Sequence, residues 1–334
     1  EKFKNKFSLS SGLMSSYTDV NSQLYENHNS TNVAAYFQGD KKWDKITLST
    51  GIRLEYFKID NIQTKAKIFK KRYEKIPFQP VFRIGGTFNP MKYTFIRASY
   101  GQGYRFPSIA EKYISTFVGG LNVFPNYNIK PEYGWSSEVG IKQGFSISNF
   151  KGYIDLSAFL TRYNDMMEFV FGLYRYNGED ISIDQILTEI QGDYSRIPDY
   201  VGARSTNIQN ANIPGFELSI VGEGNFNKNL SLSMLAGYTY INPTPIIADS
   251  TDLSTYLLTF SNPNIDNPGR TILKYRNKHM VKVDFQLNYK KIALGLSTRY
   301  TSVMENVDNV FMTPILGVEI LPEYGKYRNS RMRG

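Results

Sequence analysis

The chain holds two histidines, His28 and His279, and no cysteine. Without thiols there is no disulfide, no thiolate metal site and no Cys nucleophile. A Ser–His–Asp arrangement needs an imidazole base. His28 lies in a polar stretch and His279 at the entry of an alternating segment, so the residues read as those of a non-enzyme. The segment 105–133 is chemically richer, with Arg105, Tyr113, Phe117, Phe124 and Tyr127. Aromatic faces beside one fixed guanidinium suit an anionic, aromatic-rich ligand or a stacked sugar. The same residues would equally serve packing of one loop on another. The segment 172–202 carries Glu179, Asp180, Asp184, Glu189, Asp193 and Asp199. These carboxylates lack the tight spacing of a calcium loop, and a solvated loop is expected, with no metal site and no cofactor. Lys65, Lys67, Lys70, Lys71, Arg72 and Lys75 form a basic run. It reads as a solvated loop between two strands rather than a stripe for nucleic acid.

The elements that must position these residues are strands. Hydrophobic residues make up 41% of the 334 and aromatics 15%, yet the mean hydropathy is −0.37 and the net charge +9. No apolar run reaches the roughly 18 residues of a membrane-spanning helix. Period-two alternation recurs instead. Val281, Val283, Phe285, Leu287 and Tyr289 fall on one face, opposite Lys282, Asp284, Gln286 and Asn288. Ile46, Leu48, Thr50, Ile52 and Leu54 oppose Thr47, Ser49, Gly51, Arg53 and Glu55. Strands are expected at 3–16, 31–39, 44–60, 78–89, 93–104, 134–145, 151–171, 203–224, 229–241, 278–289 and 291–302.

The links between them alternate in length. Short ones fall at 39–43, 89–92, 146–150, 224–228 and 290, and long ones at 17–30, 61–77, 105–133, 172–202, 242–277 and 303–329. Tight turns at one end and long loops at the other are the plan of an outer-membrane barrel. The expected fold is therefore all-β, an antiparallel transmembrane β-barrel with short periplasmic turns and long extracellular loops. Arg53, Glu138, Lys142, Glu217 and Arg299 fall on the lumen face of their strands. Tyr56, Phe57, Tyr100, Tyr104, Tyr238, Tyr240 and Tyr300 suit aromatic girdles at the membrane interfaces. Gly101, Gly103 and Pro107 end one strand and launch the loop 105–133. An odd number of strands cannot close a single-chain bacterial barrel, and residues 326–334, KYRNSRMRG, read as the approach to one more. No signal peptide is visible, and the chain reads as part of a longer one.

Several segments resemble TonB-dependent receptors. Residues 97–113, RASYGQGYRFPSIAEKY, are similar to a family stretch in which a strand rises into a loop. PNYNIKPEYGWSSEVG at 125–140, ANIPGFELSI at 211–220, MLAGYTY at 234–240 and NKHMVKVD at 277–284 resemble later hallmarks in the same order. Tyr127, Asn128 and Asn277 depart from the family pattern. The resemblance implies that 1–334 is part of a barrel of roughly 22 strands in the outer membrane of a Gram-negative bacterium. A plug domain and TonB box are not visible in the chain. It implies active import of a scarce nutrient, a ferric siderophore first; haem, vitamin B12, glycan and peptide are alternatives of the same class. A passive porin or a surface adhesion scaffold is the alternative of another class. The implied partners are the TonB–ExbB–ExbD complex, acting through the plug, and outer-membrane lipid. A surface lipoprotein that captures ligand is a further candidate. The lumen charges would then face the plug. No histidine falls between Tyr104 and Glu132 as an axial haem ligand.

Overall fold

A computed structural model of the chain describes residues 2–3, 6–60, 73–118, 121–208, 210–246 and 272–306. The first strands are β1 (Lys2–Phe3), β2 (Phe7–Ser22), β3 (Glu26–Lys42), β4 (Ile46–Asp60), β5 (Tyr73–Met91) and β6 (Thr94–Arg105). A first long excursion holds α1 (Ile109–Tyr113), β7 (Thr116–Val118) and β8 (Leu121–Phe124). Then come β9 (Glu132–Ile147) and β10 (Phe150–Asn164). A second excursion holds β11 (Met167–Leu173), α2 (Ile183–Ile190), a 3-10 helix (Tyr194–Tyr200) and β12 (Val201–Asn207). The last strands are β13 (Asn210–Asn227), β14 (Leu230–Ile241), β15 (Thr244–Ile246), β16 (His279–Tyr289) and β17 (Ile292–Thr301).

One antiparallel sheet runs β1-β2-β3-β4-β5-β6-β9-β10-β13-β14-β16-β17, with β15 added to β13. Its strands pair in chain order, and β1 and β17 stand at opposite edges. The register explains the two faces. Arg83, Gly101 and Ser136 lie directly opposite in turn, as do Asp155, Ser219, Gly237, Lys282 and Arg299. The strands thus turn most of their charges to one side. The other side carries Leu13, Phe37, Ile84, Val139, Leu156 and Leu296, all exposed, Leu13 to 87%. Apolar side chains in such numbers on an open face need a non-aqueous neighbour. Residues on the polar face instead meet one another.

The turns at one end are as short as expected, at 43–45, 92–93, 148–149, 228–229 and 290–291. Near that end, Phe145 and Phe150 lie within 6.0 Å and Phe150 stacks on Phe226 at 6.5 Å. Gly152 and Gly222 make room for these rings, because a Cβ at either would meet a phenyl carbon within 2.8 Å.

The opposite end departs from expectation in four places. The expected loop 17–30 is a hairpin, with β2 and β3 paired from Tyr17↔Thr31 to Ser22↔Glu26. Its polar residues mimic a loop, but in water a ladder tolerates polar side chains on both faces. A bilayer needs about 9–11 tilted residues per strand. About six residues of each strand, roughly 20 Å, therefore stand beyond it. The expected strand 151–171 breaks after Asn164, where Asp165 turns at φ 53. Likewise 203–224 divides into β12 and β13. Both detached pieces join a second sheet, ordered β11-β12-β8-β7. Lastly, Phe57 and Tyr104 leave the expected girdle: Phe57 is buried against Phe106, which also packs on Tyr104 at 4.9 Å. The basic run as far as Arg72, most of the loop 242–277, most of 303–329, and 326–334 lie outside the described residues, while Lys75 stands in β5 rather than in the expected loop 61–77.

Candidate functional site

The two excursions form one structured cap at the long-loop end. Strand β8 of the first pairs in parallel with β12 of the second, through Gly202↔Asn122, Ala203↔Val123 and Arg204↔Phe124. Carboxamides lock the joint. Asn122 Nδ2 donates to the carbonyls of Pro198 and Val201, both at 3.0 Å. Asn126 Nδ2 donates to Ser205 O at 2.8 Å. Asn207 Oδ1 accepts from Lys130 N at 2.7 Å while its Nδ2 donates to Lys130 O at 2.9 Å and Asp165 O at 2.7 Å. Each bond satisfies a backbone group that an irregular loop would otherwise leave open. The guanidinium of Arg204 lies over the Tyr174 ring at 4.4 Å and reaches Asp180 at 3.2 Å.

The first excursion is also anchored to the barrel rim. Ser108 and Glu111 form a reciprocal cap at the start of α1. Arg105, the last residue of β6, holds Glu111 at 2.7 Å and Glu132 at 2.9 Å. Glu132 in turn accepts from Met167 N at 2.9 Å, so one arginine ties both excursions to β9. Burial pushes the Glu111 carboxyl up, but the Ser108 N–H and the Arg105 guanidinium outweigh it. They hold the group below its ordinary range. Across the second excursion, Arg175 hydrogen-bonds Glu189 and likewise lowers its proton affinity.

Deeper in the rim, His28 Nδ1 meets Asp60 Oδ1 at 2.6 Å, with the two side chains 2% and 0% exposed. Asp60 Oδ2 also accepts from Asn29 N at 2.5 Å. Tyr113 of α1 stacks on the His28 ring at 3.6 Å and donates its hydroxyl to Asp60 O. Phe57, Ile59, Ile109 and Tyr113 complete a buried cluster. The separation of His28, Asp60 and Tyr113 in sequence hid this contact.

The five mouth candidates therefore have different surroundings. Arg105 is engaged by two carboxylates. Tyr113 and Phe124 are buried, Phe124 against Tyr174 at 5.5 Å. Tyr127 is half-buried beside Tyr113, and burial pushes its hydroxyl proton affinity up. Phe117 stands 67% exposed on the β7 edge.

The lumen candidates all share the polar face. Arg53 pairs with Glu55 at 2.7 Å. Glu138 accepts from Arg97 at 2.9 Å, and the same guanidinium reaches Asp155 at 2.6 Å. Lys142 Nζ sits 3.5 Å from the Tyr153 ring centre. Glu217 and Arg299 stand opposite Ser157 and Lys282 in the ladders. Above Arg83↔Gly101 the β5–β6 ladder stops, and Phe82 N donates to the side chain of Gln102 at 3.2 Å. A cleft of about 630 Å³ lies there, lined by Gln38, Ser49, Arg83, Ser99, Ser136 and Glu138 among others. Arg83 and this cleft went unread in the sequence. The signal was a lone arginine in an alternating strand whose partners across the ladder are both glycine.

An open-edged sheet with a lipid-type face, a charged face and a structured cap at one end defines a segment of a large outer-membrane barrel. The family profile described as TonB dependent receptor-like, beta-barrel matches residues 3–327. The chain belongs to that family, which is one of receptors and transporters of the Gram-negative outer membrane. Among curated proteins it is 27% identical over 161 residues to "Hemoglobin and hemoglobin-haptoglobin-binding protein A" of Haemophilus influenzae. The match covers 48% of this chain and 13% of that protein. Among solved structures, it matches the hemophore receptor HasR of Serratia marcescens with a TM-score of 0.59 at 12% identity. That match covers 88% of this chain and 48% of the other. The siderophore receptor PirA of Pseudomonas aeruginosa matches with a TM-score of 0.57 at 12% identity, covering 89% and 45%. The chain thus spans less than half the length of these relatives.

Proposed function

We propose that the chain forms a large part of the barrel wall of an active importer. Cargo is received at the cap and admitted past the charged face. The TonB–ExbB–ExbD complex drives the step by pulling on a plug that this face would hold. The observation that supports this best is the polar face itself. Several of its arginines and carboxylates stand in pairs and bridges, Arg53 with Glu55 and Arg97 with Glu138 and Asp155. Such a wall suits close contact with another polar surface better than an open aqueous channel.

The cargo we favour is an iron complex. Phe117, Tyr127 and the exposed edge of Arg105 suit a ferric siderophore, through ring stacking and charge. Haem, or a protein that carries it, is the second reading. It rests on the curated relative, whose name records haemoglobin binding. A surface lipoprotein would fit at the cap in either case. The test is growth of a strain lacking the gene, with haemoglobin or a siderophore as the sole iron source, with and without functional TonB. Loss on one source identifies the cargo. Growth that is unchanged on both refutes iron import, and uptake without TonB would point to a porin.

A further inference from the structure

Arg83 and Arg299 differ from the other arginines of the polar face, and of these two it is Arg83 that lines the cleft. Arg53, Arg97 and Arg105 each hold at least one carboxylate. Arg83 is exposed and makes no hydrogen bond or ion pair with the described residues. Its neighbours across both ladders are glycines, Gly51 on β4 and Gly101 on β6. A Cβ built on Gly51 would lie 3.2 Å from Arg83 Cγ, so any larger residue there would crowd the side chain. The strand ladder ends at this pair, and the 630 Å³ cleft opens beside it. Serine hydroxyls of Ser49, Ser99 and Ser136 line the same cleft. Its two carboxylates are already engaged, Glu132 by Arg105 and Glu138 by Arg97.

A guanidinium in an open cleft, with hydroxyls around it and room on either side, is arranged to accept a carboxylate in two-point contact. We infer that Arg83 and its cleft bind a carboxylate-type anion carried by the imported ligand, an inference that rests on the import reading above. The same chemistry could be supplied by an acidic side chain of the segment that fills the barrel, and the experiment separates these sources.

The full-length receptor, in outer-membrane vesicles, is treated with the arginine reagent phenylglyoxal. Modification is read at each arginine by mass spectrometry. Without ligand, Arg83 should react at least about tenfold faster than the bridged Arg97, a gap worth about 1.4 kcal/mol. Haem, a ferric catecholate and citrate are the probes. Citrate or an anionic cargo should protect Arg83, and the dimethyl ester of haem, which lacks the carboxylates, should not. Arg83→Gln should weaken citrate binding about tenfold or more, with partial recovery in Arg83→Lys. If Arg83 is already unreactive without ligand, an acidic side chain inside the barrel holds it and the site is overturned. If it reacts and none of the three probes protects it, the site is overturned as well. Protection by citrate in a receptor without TonB-dependent uptake would refute the import reading and leave the anion site standing.

Discussion

Replacing His28 by Ala should free the first excursion from the rim. Asp60 is fully enclosed, and its carboxylate has His28 at 2.6 Å and Asn29 N at 2.5 Å. His28→Ala removes the imidazole partner of that carboxylate and the ring on which Tyr113 stacks at 3.6 Å. Removing one member of a buried pair costs about 3–5 kcal/mol. Water reaches Asp60 only if the excursion lifts, so the cost favours opening. At 1.4 kcal/mol per tenfold, opening should become about 100- to 3,000-fold more frequent. Hydrogen exchange of the full-length receptor reads this directly at residues 26–31 and 108–115. Phe117→Ala, at an exposed site, is the control. The double variant His28→Leu with Asp60→Leu should exchange more slowly than His28→Ala, because no buried charge is left behind. A rise below tenfold, or one spread evenly over β13 and β14, would refute the reasoning.

Glu111 has a lowered proton affinity in the folded state, so its contribution is present above the ordinary carboxylate pKa and lost as pH falls through the folded value. Exchange at 108–114, corrected for intrinsic rates, should therefore rise in acid in the native receptor and stay level in Glu111→Gln. Gly152→Val should block barrel assembly, because its Cβ would lie 2.1 Å from Val221 O; loss of the heat-modifiable folded band on a gel is the readout. Leu156→Arg, on the lipid face, should cost about 2–4 kcal/mol in bilayer refolding, and Thr239→Arg on the polar face should cost far less.

Both the alternation and the turns were legible because each depends on neighbours in sequence. A strand buried on one side must alternate, and a tight turn must be short, whatever lies across from it. The polar residues of 17–30 misled for the same reason. Local polarity cannot distinguish a loop from a ladder standing in water. The motif residues Arg105, Glu111 and Glu132 could be named from the sequence, but their joining into one knot could not.

What the sequence determined by itself is the architecture: strand positions, the two faces, the end that carries the loops, and the family. These follow from period and spacing along the chain. What only the tertiary structure decided is which side chains are free. Tyr113 and Phe124 read equally as binding residues or as loop packing and are buried, His28 reads as a loop residue and meets Asp60, and Arg83 drew no reading and makes no ion pair with the described residues. Each outcome depends on contacts between segments 20 to 80 residues apart, such as β8 with β12. No local pattern encodes them, because such pairing depends on which excursions the neighbouring strands bring side by side.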